Sequence, residues 1–131
     1  RGLGDVYKRQ LQYLARLYWY TVEFGLLRTP QGLRIYGAGI LSSGGEIEHS
    51  LYSPQARRLR FDLLRLLRSR YRIDSFQATY FIIDDFEQLF NATAPDFTPL
   101  YAQAAALPDI APGVVLPGEL DETLGVRGAR V

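Results

Sequence analysis

At 131 residues the chain is one domain's worth of sequence at most, and its 47% hydrophobic and 22% charged residues are those of a folded globular protein. A net charge of +1 gives no bulk attraction to nucleic acid or a membrane surface, and zero cysteines exclude disulfides, thiolate metal sites and a cysteine nucleophile. No uncharged apolar run reaches the ~18 residues of a membrane span, and no signal-peptide pattern opens the chain, so a cytoplasmic location is expected.

The chain contains no methionine, so it reads as a processed product or a fragment. Its opening, "RGLGDVYKRQ", carries the sole lysine, Lys8, and no clear hydrophobic period. It resembles translated library-adapter sequence, and residues 1–10 are expected to be a non-native leader outside the fold. From Leu11 to Leu27, the residues Leu14, Leu17, Tyr18, Thr21, Val22 and Leu26 recur at helical steps. That spacing predicts one mostly buried helix, ended by Pro30 and Gly32, belonging to a larger body than this chain can build. In "LRIYGAGILSS" two short β-like runs flank Gly37 and Gly39, where the chain turns or something approaches the backbone closely.

Ser43 and Glu46 have capping-box spacing, predicting a helix from about Gly44 to Leu51. "RRLRF" alternates like an extended segment, so the next helix is placed after Asp62. "FQATYFII" is β-branched and aromatic and reads as a strand. Asp84 or Asp85 then caps "FEQLFNA", and Asp96 caps "FTPLYAQAAAL" with Pro99 in its first turn. These elements make residues 11–107 a mainly α domain with a few short strands, an α+β class. Proline and glycine recur through 108–131, which predicts an extended or poorly ordered tail. No heptad stretch supports a coiled coil, and a monomer is expected.

Glu23 raises the chemical question. It lies within "LARLYWYTVEFGLL", beside Trp19, Tyr20, Phe24, Leu26 and Leu27, with no lysine or arginine three or four positions away. A carboxylate withdrawn from water without a partner costs several kcal/mol. Three readings compete. The plainest is a non-catalytic helical module in which a distant arginine pairs with Glu23. A di-iron carboxylate site is suggested by Glu46-x-x-His49 but needs that element twice, and His49 is the only histidine. A mononuclear iron site of two histidines and one carboxylate also needs two imidazoles, which a fragment could have left upstream.

Four stretches, "LARLYWYTVEFGLL", "GLRIYGAGILSSGGEIEHSL", "RYRIDSFQATYFIIDDFEQLF" and "DFTPLYA", together resemble the pterin-dependent aromatic amino acid hydroxylases. The likeness is to the C-terminal half of their catalytic domain, and is strongest for bacterial members that act on phenylalanine. It runs in order from Leu11 to Ala104. It implies Fe(II) and a tetrahydropterin as cofactors, with L-phenylalanine and O2 as substrates. By position it makes Glu23 the carboxylate ligand to iron. Trp19 and Phe24 would line the aromatic substrate's pocket, and Gly39 and Ser42 would lie near its amino-acid moiety. Ala15 and Tyr18 fall beside the pterin, and Glu46 is a supporting glutamate. Tyr80 falls with the cofactor and Ile82 with the substrate, in a segment that closes over the site. An apolar residue at Ile82 leans towards phenylalanine rather than tyrosine. The family's two iron histidines, and the arginine that holds the substrate carboxylate, precede the matching region. The fragment alone is therefore expected to be inactive and to contain no catalytic residue.

The arginine run Arg57, Arg58, Arg60, Arg65, Arg68, Arg70 and Arg72 is interleaved with leucines. It reads as a solvated face over a packed one rather than as a nucleic-acid site. His49 reads as a surface or supporting helix residue.

Overall fold

A computed structural model describes residues 2–123. Helix α1 (Gly2–Tyr18) leads into one π turn, Trp19–Glu23. A hairpin of β1 (Leu26–Thr29) and β2 (Gly32–Ile35) follows, then short helix α2 (Ala38–Leu41) and helix α3 (Gly44–Tyr52). Strand β3 (Arg57–Arg60), helix α4 (Leu63–Leu67), strand β4 (Thr79–Ile83), and helices α5 (Phe86–Thr93) and α6 (Thr98–Ala105) complete the order. The α+β class expected from the sequence is the class observed.

The four strands form one mixed sheet in the order β2-β1-β4-β3, with β4 parallel to both neighbours and β1–β2 antiparallel. A strand flanked on both sides and covered on both faces must be apolar throughout. All five residues of β4 are accordingly buried. Their alternation divides the core. Phe81 and Ile83 join Tyr13, Tyr20, Leu59, Phe61, Leu66 and Leu67 on one face. Tyr80 and Ile82 join Phe24, Leu26, Ile40 and Ala56 on the other.

Several local readings hold for stated physical reasons. Asp62 caps α4 by accepting from the Arg65 amide at 3.0 Å, and Asp85 caps α5 by accepting from the Gln88 amide at 2.7 Å. Asp96 does not cap α6: the N-cap is Phe97, without a side-chain cap bond, and Asp96 accepts from the Thr98 amide at 3.0 Å in a turn one residue earlier.

Others are corrected. The helix predicted to run to Leu27 ends at Tyr18, widens into the π turn, and gives Leu26 and Leu27 to β1. It is also not mostly buried. Tyr13, Arg16, Tyr20 and Thr21 face the core, while Leu11, Leu14, Tyr18 and Val22 are exposed along the other side. Residues 2–10, set outside the fold by their composition, extend α1 back to Gly2. The second β-like run is instead α2. Ser43 precedes α3 without a side-chain capping bond, because Glu46 turns inward to other partners.

The arginine run is not uniformly solvated either. Arg58 is 0% exposed, and its guanidinium donates to the carbonyls of Ser50 (2.7 Å) and His49 (2.9 Å), and more weakly to Ala56 and Thr123 Oγ1. Arg65 is also buried, with its Nε 2.7 Å from Glu119 and further donations to Ser69 Oγ and the Val114 carbonyl.

Glu119 and Val114 belong to the proline- and glycine-rich region. From 108 to 123 it runs extended across the body as a strap. Ile110 is buried and exchanges backbone bonds with Arg68 (2.7 Å) and Arg70 (2.9 Å), and Asp109 pairs with Arg16 at 2.9 Å. Farther along, the Glu122 amide donates to the Arg58 carbonyl at 2.8 Å. The remainder of the predicted tail, 124–131, lies outside the described residues.

Candidate active site

The π turn sets the geometry around Glu23. Its closing bond runs from the Phe24 amide to the Trp19 carbonyl at 2.9 Å, an i→i+5 link in place of the helical i→i+4. On a regular helix Trp19 would sit one turn below Glu23. The additional residue instead brings Phe24 above Trp19, with ring centroids 4.8 Å apart. Tyr71 stacks on the opposite side of the indole at 4.3 Å and 15°. The Glu23 side chain leaves the same turn half-buried, and among the described residues its carboxylate has no hydrogen bond or ion pair.

Close backbone approach behind this turn accounts for the glycines. A Cβ on Gly37 would stand 2.4 Å from the Glu23 carbonyl oxygen and 2.6 Å from the Gly25 nitrogen. One on Gly39 would meet the Phe24 ring at 2.9 Å and the Glu23 oxygen at 3.0 Å. The expected approach is therefore real: the carboxylate's own backbone and the neighbouring ring pack against these glycines. Tyr36 covers Gly25 from the same side. Its buried hydroxyl finds no partner among the described residues, and burial holds its pKa above the usual phenol value.

A second, buried set of bonds lies beneath. Glu46, 4% exposed, accepts from Tyr80 Oη at 2.5 Å and from the Gln77 amide at 2.9 Å. Burial raises the Tyr80 pKa strongly, and its bond to Glu46 raises it further, so the phenol stays a donor. Gln77 Oε1 accepts from Trp19 Nε1 at 3.1 Å. His49 Nε2 lies 2.9 Å from the Gln77 carbonyl, so that nitrogen carries the proton, and the imidazole rests against Phe76 at 4.8 Å. His49 is thus a supporting residue.

The structure brings Trp19, Glu23, Phe24 and Gly39 into one cluster and links Glu46 to it through Gln77. Ser42 is exposed at the end of α2, its hydroxyl donating to the Gly39 carbonyl at 3.2 Å. Ala15 and Tyr18 are exposed on α1, Tyr18 immediately before Trp19. Tyr80 and Ile82 are fully buried in the middle of the sheet, because β4 is its covered interior strand, and the Tyr80 hydroxyl is committed to Glu46. Gln77, Tyr71 and Tyr36 were not legible as site residues. The only cue was the position of "FQ" immediately before the strand.

Among the described residues no group of three or more His, Cys, Asp or Glu could hold a metal ion. No helix among them is long and apolar enough to cross a membrane.

The chain is thus an α+β body in which a π turn carries a carboxylate with no partner among the described residues, next to the Trp19–Phe24 ring pair. The chain belongs to the biopterin-dependent aromatic amino acid hydroxylases, whose family model matches residues 2–98. It is 59% identical over 126 residues to a phenylalanine-4-hydroxylase of Ralstonia nicotianae, covering 96% of this chain and 40% of that protein. It is 58% identical over 117 residues to the phenylalanine-4-hydroxylase of Chromobacterium violaceum, covering 89% and 39%. A crystal structure of the C. violaceum phenylalanine hydroxylase with iron and phenylalanine bound superposes with a TM-score of 0.83 at 55% identity, covering 91% of this chain and 45% of that one. The chain thus spans about two fifths of the curated relatives it matches.

Proposed function

We propose that these residues are the C-terminal part of the catalytic domain of a cytoplasmic, monomeric phenylalanine 4-monooxygenase. The complete enzyme converts L-phenylalanine to L-tyrosine with O2. The observation that carries this reading is the half-buried Glu23 carboxylate, held by a π turn and without a partner among the described residues. Fe(II) and a tetrahydropterin, when bound, supply the activation of O2. Glu23 would be one iron ligand, and Tyr18 and Ala15 would lie beside the pterin.

The chain's own residues do the positioning. Trp19 and Phe24 present ring surfaces on which an aromatic side chain can stack, and their contact through the π turn fixes the angle between them. Half-burial leaves the Glu23 carboxylate accessible to a cation while shielding its charge less than open water would. Gly39 and Ser42 leave backbone and hydroxyl groups near the substrate's polar end. The buried Ile82 favours phenylalanine over a hydroxylated ring only through the shape of the wall it supports.

The rival reading, a helical module with Glu23 in a structural ion pair, requires a cationic partner. None of the six ion pairs among the described residues includes Glu23. The test is Glu23→Ala in a protein carrying the upstream coding sequence, which is expected to encode two closely spaced histidines. Iron content and tyrosine formation should both be lost, while the melting temperature changes by no more than ~0.5 kcal/mol would produce. Retained iron with near-normal turnover would overturn the assignment. The 131-residue chain alone should neither bind Fe(II) tightly nor form tyrosine.

A further inference from the structure

We propose that Gln77 is a positioning residue for the aromatic substrate: its side-chain amide locks the plane of the Trp19 indole. This rests on the reading that Trp19 lines the substrate pocket. Gln77 is 2% exposed and lies just before β4. Every polar group it owns is engaged. The backbone amide donates to Glu46 at 2.9 Å, and the backbone carbonyl accepts from His49 at 2.9 Å. The side chain accepts from Trp19 Nε1 at 3.1 Å and donates to the Arg72 carbonyl at 2.7 Å.

The orientation of this amide has one solution. An indole Nε1–H only donates and a carbonyl oxygen only accepts. Flipping the amide would set NH2 against the indole N–H and oxygen against the Arg72 carbonyl, opposing like groups at both ends. Bonds from Glu46 and His49 hold the main chain of the same residue. Gln77 is therefore a rigid acceptor in a fixed place.

Trp19 needs such an acceptor. Tyr71 at 4.3 Å and Phe24 at 4.8 Å confine the ring between two aromatic surfaces. Stacking tolerates sliding and in-plane rotation, whereas a hydrogen bond at the ring edge does not. The bond spans 58 residues of sequence, joining the π turn to the approach to β4. Glu46 then supports the site indirectly: with Tyr80 it anchors the Gln77 backbone, which in turn holds the indole.

Trp19 is the only tryptophan, so one indole cross-peak in a 1H–15N spectrum reports on it. In the 131-residue chain, Gln77→Met keeps side-chain length and removes the acceptor. The indole proton should then exchange about tenfold faster while the β4 amides keep their protection. Gln77→Glu in its protonated form, at acid pH, keeps an oxygen towards the indole and an O–H towards the Arg72 carbonyl, and should there preserve most of the indole protection. If Gln77→Met does not fold, Gln77→Asn, whose shorter arm withdraws the oxygen, takes its place. Unchanged indole exchange in a folded acceptorless variant would overturn the proposal. In a chain completed by its upstream residues, Gln77→Met should raise KM for L-phenylalanine about tenfold with a smaller change in kcat. An unlocked indole with unchanged KM would overturn the substrate role. Absence of hydroxylation in the completed wild-type chain would instead count against the functional reading, leaving the exchange result intact.

Discussion

Replacing Gly37 with alanine tests whether the backbone behind Glu23 is fixed by close packing. The added Cβ would lie 2.4 Å from the Glu23 carbonyl oxygen, 2.7 Å from its carbonyl carbon and 2.6 Å from the Gly25 nitrogen. All three are main-chain atoms, so no side chain can swing aside. Reaching an ordinary contact of about 3.5 Å requires a movement of about 1 Å, by α2 or by the end of the π turn. Overpacking of this kind costs about 3 kcal/mol, the upper part of the usual range, because backbone rather than a rotamer must yield. At about 4 °C per kcal/mol for a domain of this size, the melting temperature should fall by about 12 °C. Gly44→Ala is the control. Its Cβ meets nothing within 4 Å at the first position of α3, so stability should hold or rise by up to about 1 kcal/mol. If Gly37→Ala melts within about 3 °C of the parent while the control behaves as stated, the packing argument is wrong. In a completed enzyme the same displacement of Glu23 should lower turnover about a hundredfold.

Tyr36→Phe removes a buried hydroxyl that has no partner among the described residues, so thermal stability should be unchanged or raised by about 1 kcal/mol. A loss larger than that would reveal a partner for the hydroxyl. Arg58→Lys keeps the charge but not the fork that serves the Ser50 and His49 carbonyls, and should cost about 2–3 kcal/mol as a lowered denaturation midpoint with unchanged m-value. The strap should loosen in acid. The hydrogen bond from Arg16 holds the Asp109 carboxyl below its usual 3.8, and at Glu119 burial pushes upward but the Arg65 bonds outweigh it and bring it below 4.5. Carboxylates with depressed values contribute fully above their unfolded pKa values and lose that contribution as pH falls through the folded ones. Amide protection at Ile110 should therefore be flat above about pH 5 and decline below about pH 4, and a decline between pH 8 and 6 would contradict the assignment.

What the sequence made legible follows from the range of the interactions involved. Asp62 and Asp85 announce helix starts because a cap is satisfied within three residues, and the apolar run of β4 carries its burial in its own composition. The end of α1 was harder. Leu26 continues the helical spacing of Leu14 and Val22, and only Gly25 marks the break that sends Leu26 and Leu27 into the sheet. A π turn differs from a helix by one residue, and no apolar period records that. Arg58 and Arg65 have the spacing of solvated arginines, because what buries them is set by the fold: Arg58 turns onto the carbonyls at the end of α3 and Arg65 meets Glu119, 54 residues on. The cluster of Trp19, Phe24 and Gly39 was foreseeable from resemblance, but Gln77 was not. A lone glutamine before a strand has no pattern until the fold brings it to the indole.

The bonds that confer shape on the π turn also order events during folding. Trp19 reaches Gln77 across 58 residues, Tyr20 Oη reaches the Arg70 carbonyl across 50, and Arg16 reaches the Leu67 carbonyl across 51. Each closes a long loop before it returns any stabilisation, and such non-local contacts form slowly. On a ribosome, the segment bearing Glu23 emerges well before the residues that secure it. The carboxylate therefore acquires its final surroundings only when β4 docks, so the acidic end of the turn is among the last parts of the molecule to mature.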